Sequence, residues 1–172
     1  AFKEEYQSQV QKNARAFARA LKSAGIDVEG DQADGFTETH QVVIRISKHG
    51  KGDELARRLE ENNIITNYQA LPDDETFLEA SGIRMGVQEM TRFGMKEDDF
   101  NVLAEYIADV IIKNQDVKEK VKKFREQFSQ MQYFLKAEEA APLLAKIFAS
   151  IFPNQEFFKL IIDNLEQISS RQ

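Results

Sequence analysis

Over its first 114 residues this chain repeatedly switches hydrophobic period between 3.6 and 2, which restricts it to a sheet with helices laid against it. Tyr6, Val10, Ala14, Phe17, Leu21 and Ala24 recur at spacings of three and four, predicting a helix over residues 3–24 with Gly25 placed to end it. Ile26-Asp27-Val28 alternates as a short strand and leads into a loop rich in Asp and Gly. Residues 40–47 are β-branched: Val42, Ile44 and Ile46 face one way, Gln41, Val43, Arg45 and Ser47 the other. Gly50-Lys51-Gly52 makes a turn, and Asp53 is expected to cap a helix over 54–63 with Leu55 and Leu59 inward. Ile64-Ile65-Thr66 predicts a strand, followed by a loop over 67–74 stiffened by Pro72. Residues 82–86 form another short strand. A helix over 96–114 carries Phe100, Leu103, Ile107, Val110 and Ile111 on one stripe, with three acidic residues in its first turn.

The order α-β-β-α-β-β-α describes an α/β small domain of the α+β kind, with a small mixed, mostly antiparallel sheet and helices packed on it. The expected division is residues 1–114 as that domain and 115–172 as a C-terminal helical appendage packed on it. Val117, Val121, Phe124, Phe128 and Met131 predict an amphipathic helix in the appendage. Beyond Ala137, Pro142 and Pro153 divide two further helical segments. The second carries adjacent apolar pairs, Phe157-Phe158 and Ile161-Ile162, more than one stripe needs. They suit either packing on the domain or a partner contact.

Composition removes several classes of function. Lys and Arg number 23 against 29 Asp and Glu, a net charge of −6, which is unfavourable for gripping a phosphate backbone. The basic run from Lys113 to Arg125 interleaves with Asp116 and Glu119 on a helix with an apolar face, as a solvated surface does. Without cysteine there is neither a disulfide nor a thiolate metal site, and His40 and His49 are the only histidines. No apolar run reaches membrane-spanning length, so a cytoplasmic protein without nucleic-acid or membrane partners is expected.

The stretch richest in chemistry is Ser81-Gly82-Ile83-Arg84-Met85-Gly86, continuing through Thr91 to Gly94. Glycines on either side of an arginine let a ligand or a backbone come close, and a guanidinium fork matches a carboxylate with two parallel hydrogen bonds. By spacing alone, Arg84 is better explained by an internal ion pair. His40, at the head of a buried strand, is expected to be half-buried and hydrogen-bonded, and Lys48 to face solvent.

Ser-Gly-Ile-Arg-x-Gly followed by Thr-x-x-Gly resembles the C-terminal small domain of serine hydroxymethyltransferases, fold-type I enzymes dependent on pyridoxal phosphate. Glu4-Glu5-Tyr6 with Gln9-Val10-x-Lys12-Asn13-Ala14 is similar to the helix entering that domain. Glu38-Thr39-His40, Asn63-Ile64-x-Thr66-Asn67 and Pro72-x-Asp74 resemble further motifs of the family, all in order over about residues 3–133. The resemblance implies that Arg84 binds the α-carboxylate of serine or glycine. It further implies one-carbon transfer to tetrahydrofolate or another tetrahydropterin, with Asn67, Tyr68 and Gln69 at the pterin loop.

The departures carry information too. Val87-Gln88-Glu89-Met90 replaces the Thr-Pro of many members, and the family's Asn-Lys-Asn becomes Asn67-Tyr68-Gln69, losing a cation beside an acidic pterin. That keeps open a pterin-independent aldolase or transaldolase of the same fold, or a non-catalytic interaction module. No Thr-x-His-Lys occurs, so the resemblance puts the cofactor lysine, the phosphate contacts and every catalytic residue on a large domain preceding Ala1. The chain by itself is then expected to be inactive, and the intact enzyme to be a homodimer.

Overall fold

The first helical period becomes α1, Lys3–Ser23, in the computed structural model, which describes residues 3–151. Ala14, Phe17, Ala18 and Leu21 are buried, and the small alanines let the helix lie close to its neighbours. Gly25 ends α1 in the left-handed region, at φ +93°, and the Ile26 N–H returns to the Leu21 carbonyl at 3.0 Å.

The sheet comprises β1 (Asp27–Val28), β2 (Gln41–Arg45), β3 (Asn67–Gln69) and β4 (Gly82–Gly86), in the order β1-β2-β4-β3. Every pairing is antiparallel. β2 and β3 run the same way, joined through helix α2 (Gly52–Glu61), and β4 lies between them. Insertion of β4 keeps β2 and β3 apart, as β2 keeps β1 and β4 apart, so the sheet has no parallel ladder. Val42 and Ile44 on β2, and Ile83 and Met85 on β4, turn inward onto α1 and α4 (Glu97–Ile111). Phe17 and Phe100 close that core, ring centroids 5.4 Å apart.

Several expectations shift. The β-branched Ile64-Ile65-Thr66 is not a strand: Asn63 takes a left-handed φ of +64°, Ile64 drops into the core and Ile65 is 86% exposed. The chain reaches the sheet edge only at Asn67, inside the expected loop, because the position of β4 outweighs side-chain propensity. Asp53 does not cap α2, whose N-cap is Lys51, and lies instead in the first turn. A 3-10 turn (Phe77–Glu79) and helix α3 (Gln88–Arg92) appear where neither is expected. Helix α5 (Lys118–Glu126) stops before Phe128 and Met131, although the apolar period continues, because the Gln132 N–H ties the chain to the Arg92 carbonyl.

The chain divides into two compact units, Ala1–Tyr133 and Phe134–Gln172. In the second, α6 (Ala137–Ile151) runs through Pro142 without breaking there. The helical segment expected after Pro153 lies outside the described residues.

Candidate functional site

Alternation along β4 places Ile83 and Met85 on the helix-covered face and Gly82, Arg84 and Gly86 on the other. Arg84 stands between Val43 of β2 and Asn67 of β3, while Gly82 stands between Arg45 and Gln69. Arg84 and Asn67 are exposed, so one row of this open face carries a guanidinium beside a carboxamide. The expected trio separates here: Asn67 and Gln69 share the face of Arg84, but Tyr68 pairs with Ile83 on the opposite side. Its ring lies 5.4 Å from that of Phe77.

The two arginines of this face differ in what they touch. Arg45 is consumed internally: its Nη1 and Nη2 donate to Asp73 at 2.8 and 2.9 Å, and its Nε donates to Glu29 at 2.8 Å. These carboxylates, Asp73 foremost, push the Arg45 guanidinium above its ordinary range, and Arg45 in turn holds the Asp73 carboxyl low. Arg84 makes no hydrogen bond or ion pair with any described residue.

Behind this face, two polar devices hold β4 in place. The loop from β3 to β4 closes on Asp74, which accepts from the Ser81 hydroxyl at 2.6 Å and from the Leu71 and Ser81 N–H groups at 2.7 and 2.8 Å. The hydroxyl, then these N–H groups, holds the Asp74 carboxyl below its ordinary range. Gly82 follows at once, and a Cβ there would stand 2.8 Å from the Gln69 carbonyl oxygen and 2.7 Å from Leu71 Cδ2, so the close approach requires glycine. At the far end, fully buried Asn13 donates to Thr91 Oγ1 and to the Met95 carbonyl, both at 2.8 Å, and accepts from Gln9 Nε2 at 2.8 Å. The Thr91 hydroxyl donates to the Val87 carbonyl at 2.8 Å.

Asp74→Asn should therefore lower the urea midpoint at pH 7 and flatten its decline in acid. A carboxyl held low when folded stabilises above its unfolded value of about 4, and that stability drains away as pH falls through the folded value. Urea midpoints of both proteins between pH 7 and pH 2.5 check this, and parallel curves would refute it.

His40 is exposed, and its imidazole has no hydrogen bond to a described residue; only its carbonyl is used, accepting from Val87 N–H at 3.0 Å. It corrects the expected half-buried, satisfied histidine: β2 begins one residue later, at Gln41, so position 40 lies on the approach outside the core. Lys48 is exposed and sits 2.6 Å from Asp27, whose carboxyl Lys48 and Lys22 together hold down to about 2. Every lysine among the described residues is exposed, so none has the desolvated surroundings that keep an amine neutral. The described residues therefore do not fit the anchor of pyridoxal phosphate. No group of three metal-ligating side chains occurs among them either, and no described helix is long and apolar enough to cross a membrane.

A family model described as serine hydroxymethyltransferase matches residues 1–107. The chain is 45% identical over 153 residues to a serine hydroxymethyltransferase of Pyrobaculum aerophilum, covering 87% of this chain and 35% of that one. It is 46% identical over 150 residues to one of Staphylothermus marinus, covering 83% and 34%. Among solved structures, L-threonine transaldolase from Pseudomonas fluorescens superposes with a TM-score of 0.70 at 35% identity, covering 86% of this chain and 34% of that one. The chain thus spans about a third of the length of the relatives it matches.

Proposed function

The chain belongs to the serine hydroxymethyltransferase family, and from that premise we propose that its open sheet face supplies the carboxylate clamp of an enzyme interconverting serine and glycine. The observation that carries this reading is Arg84: a guanidinium on the central strand β4, exposed and without a partner among the described residues, while its neighbour Arg45 is fully paired. Two parallel N–H groups grip a planar carboxylate and fix its rotation. Orienting the substrate through that group decides which bond to its Cα is presented for cleavage, so the clamp acts by positioning rather than by moving a proton. Asn67, beside Arg84 on the adjacent strand, and Gln69, beside Gly82, offer carboxamides on the same face for a tetrahydropterin that accepts the one-carbon unit. Tyr68 faces away from that group and is left out of it.

Pyridoxal phosphate supplies the electron sink for such chemistry, and on this reading other parts of a longer, homodimeric, cytoplasmic enzyme hold it. The reading makes the 172-residue chain inactive alone. Incubation with pyridoxal phosphate, then borohydride reduction and mass spectrometry, should find no stoichiometric adduct at any one lysine; such an adduct would overturn this division of labour.

The transaldolase likeness favours a second reading, in which the same clamp serves a pterin-independent aldol exchange. Assay of the longer protein separates the two. Serine-to-glycine conversion that requires a tetrahydropterin supports the first, conversion without any pterin supports the second, and no reaction of serine under either condition removes both.

A further inference from the structure

Two residues beyond Arg84 on the same strand, Gly86 is a glycine that its own backbone does not require, because its φ is not positive. What requires it is a side chain. A Cβ built on Gly86 would overlap the Gln88 Oε1 and stand 3.1 Å from the Gln88 Cδ and Nε2. Gly86 shares the open side of the sheet with Arg84, so the Gln88 carboxamide lies on that side, in the place a side chain at position 86 would fill. Positions two apart along a strand are about 6.6 Å from one another, so the carboxamide stands one repeat from the base of the Arg84 side chain.

The backbone at Gln88 is held from the helix side. The Tyr6 hydroxyl of α1 donates to its carbonyl at 2.8 Å, and the preceding Val87 N–H donates to the His40 carbonyl at 3.0 Å. The side chain is not held in this way: Gln88 is exposed, and its carboxamide makes no hydrogen bond with any described residue. Arg45 is occupied by Glu29 and Asp73, so the guanidinium of this face without an ion pair among the described residues is Arg84, next to that carboxamide. A carboxylate has about four acceptor sites, of which a guanidinium fork fills two, and an amide N–H beside the fork can fill a third.

We infer that Gln88 is a second substrate-binding residue, seated over Gly86, which donates an amide N–H to the same α-carboxylate that Arg84 grips. The inference rests on the clamp reading and extends it: the clamp has a third donor, and Gly86 belongs to it as the seat of that donor. The stretch Val87-Gln88-Glu89-Met90 is where the chain departs from the Thr-Pro of many family members, and a carboxamide brought back over the strand gives that departure a use. Serine and glycine share the carboxylate and differ only at Cβ, so the contact serves both alike.

The test measures kcat and KM for serine and for glycine in the intact enzyme. Gln88→Ala should raise KM for both amino acids about tenfold and leave kcat within about twofold, because a contact made equally in ground and transition states acts on binding alone. Gln88→Glu, of the same length, sets a carboxylate against that of the substrate and should raise KM further. Gly86→Ala unseats the carboxamide and should reproduce Gln88→Ala, and the double variant should be no worse than either single one. Melting temperatures should not change, since the atoms nearest the added methyl all belong to the movable end of Gln88. If Gly86→Ala fails to fold, the two Gln88 variants decide. An unchanged KM in Gln88→Ala, an effect confined to serine, or additive losses from Gly86→Ala and Gln88→Ala would each overturn the inference. Arg84→Lys separates that failure from failure of the clamp: a normal KM in Gln88→Ala beside an impaired Arg84→Lys removes Gln88 alone, whereas full activity in Arg84→Lys removes both.

Discussion

Arg84→Lys in the intact enzyme is expected to lower kcat/KM for serine by about a hundredfold while leaving the melting temperature of the protein unchanged. A guanidinium delivers two parallel donors in one plane, whereas an ammonium is a point charge that makes one good bond and leaves the carboxylate free to rotate. Losing one charge-assisted hydrogen bond accounts for about 1.5–3 kcal/mol, and a tilted substrate adds to the loss by presenting the wrong bond. Arg84→Ala, which removes both donors, should fall further. The stability half of the expectation comes from what surrounds the side chain: Arg84 is exposed and contacts no described partner, so its replacement strands nothing. Steady-state kinetics and a thermal melt on the same samples check both halves. An enzyme with full activity after Arg84→Lys would remove the clamp from the reaction.

Asn13→Ala carries the opposite signature, a large loss of stability from a residue far from the open face. The substitution deletes a carboxamide that is 0% exposed and makes three hydrogen bonds at 2.8 Å, two of them bridging α1 to α3 and to the turn after it. Leaving the Met95 carbonyl unmet in a dry interior, together with the cavity left by the side chain, is expected to remove about 2–4 kcal/mol. The urea midpoint should drop without a change in slope. Thr91→Val tests the same network from its other end, and because the two residues share a hydrogen bond, the double variant should lose less than the two single losses added together. Strict additivity would show that the network is not a unit.

The layout of the sheet and its helices was legible because periods of 3.6 and 2 are written directly in where apolar residues fall. Val42, Ile44 and Ile46 are inward as their alternation requires, and Phe17 and Phe100 meet where two stripes converge. Edge strand β3 was not legible. Ile64 and Ile65 carry the stronger strand propensity, yet the strand is Asn-Tyr-Gln, because pairing with Gly82–Arg84 is decided by how α2 returns the chain to the sheet. At the candidate site, the spacing around Arg84 was visible but could not distinguish it from Arg45, which stands on the same face. What separates them is Glu29 and Asp73, 16 and 28 residues from Arg45 along the chain. The buried role of Asn13 had a signal that went unread: it lies three residues after Val10 and four before Phe17, a polar residue set in an apolar stripe. A carboxamide in that position needs partners across the core, and Thr91 is one of them.

The link from Asn13 to Thr91 and Met95 also has a mechanical meaning. The 21-residue α1 is bolted to α3 and the turn after it through buried groups, and β4 itself is laddered on both edges. A tilt of α1 is therefore expected to carry α3 with it, and α3 follows β4 directly in the chain.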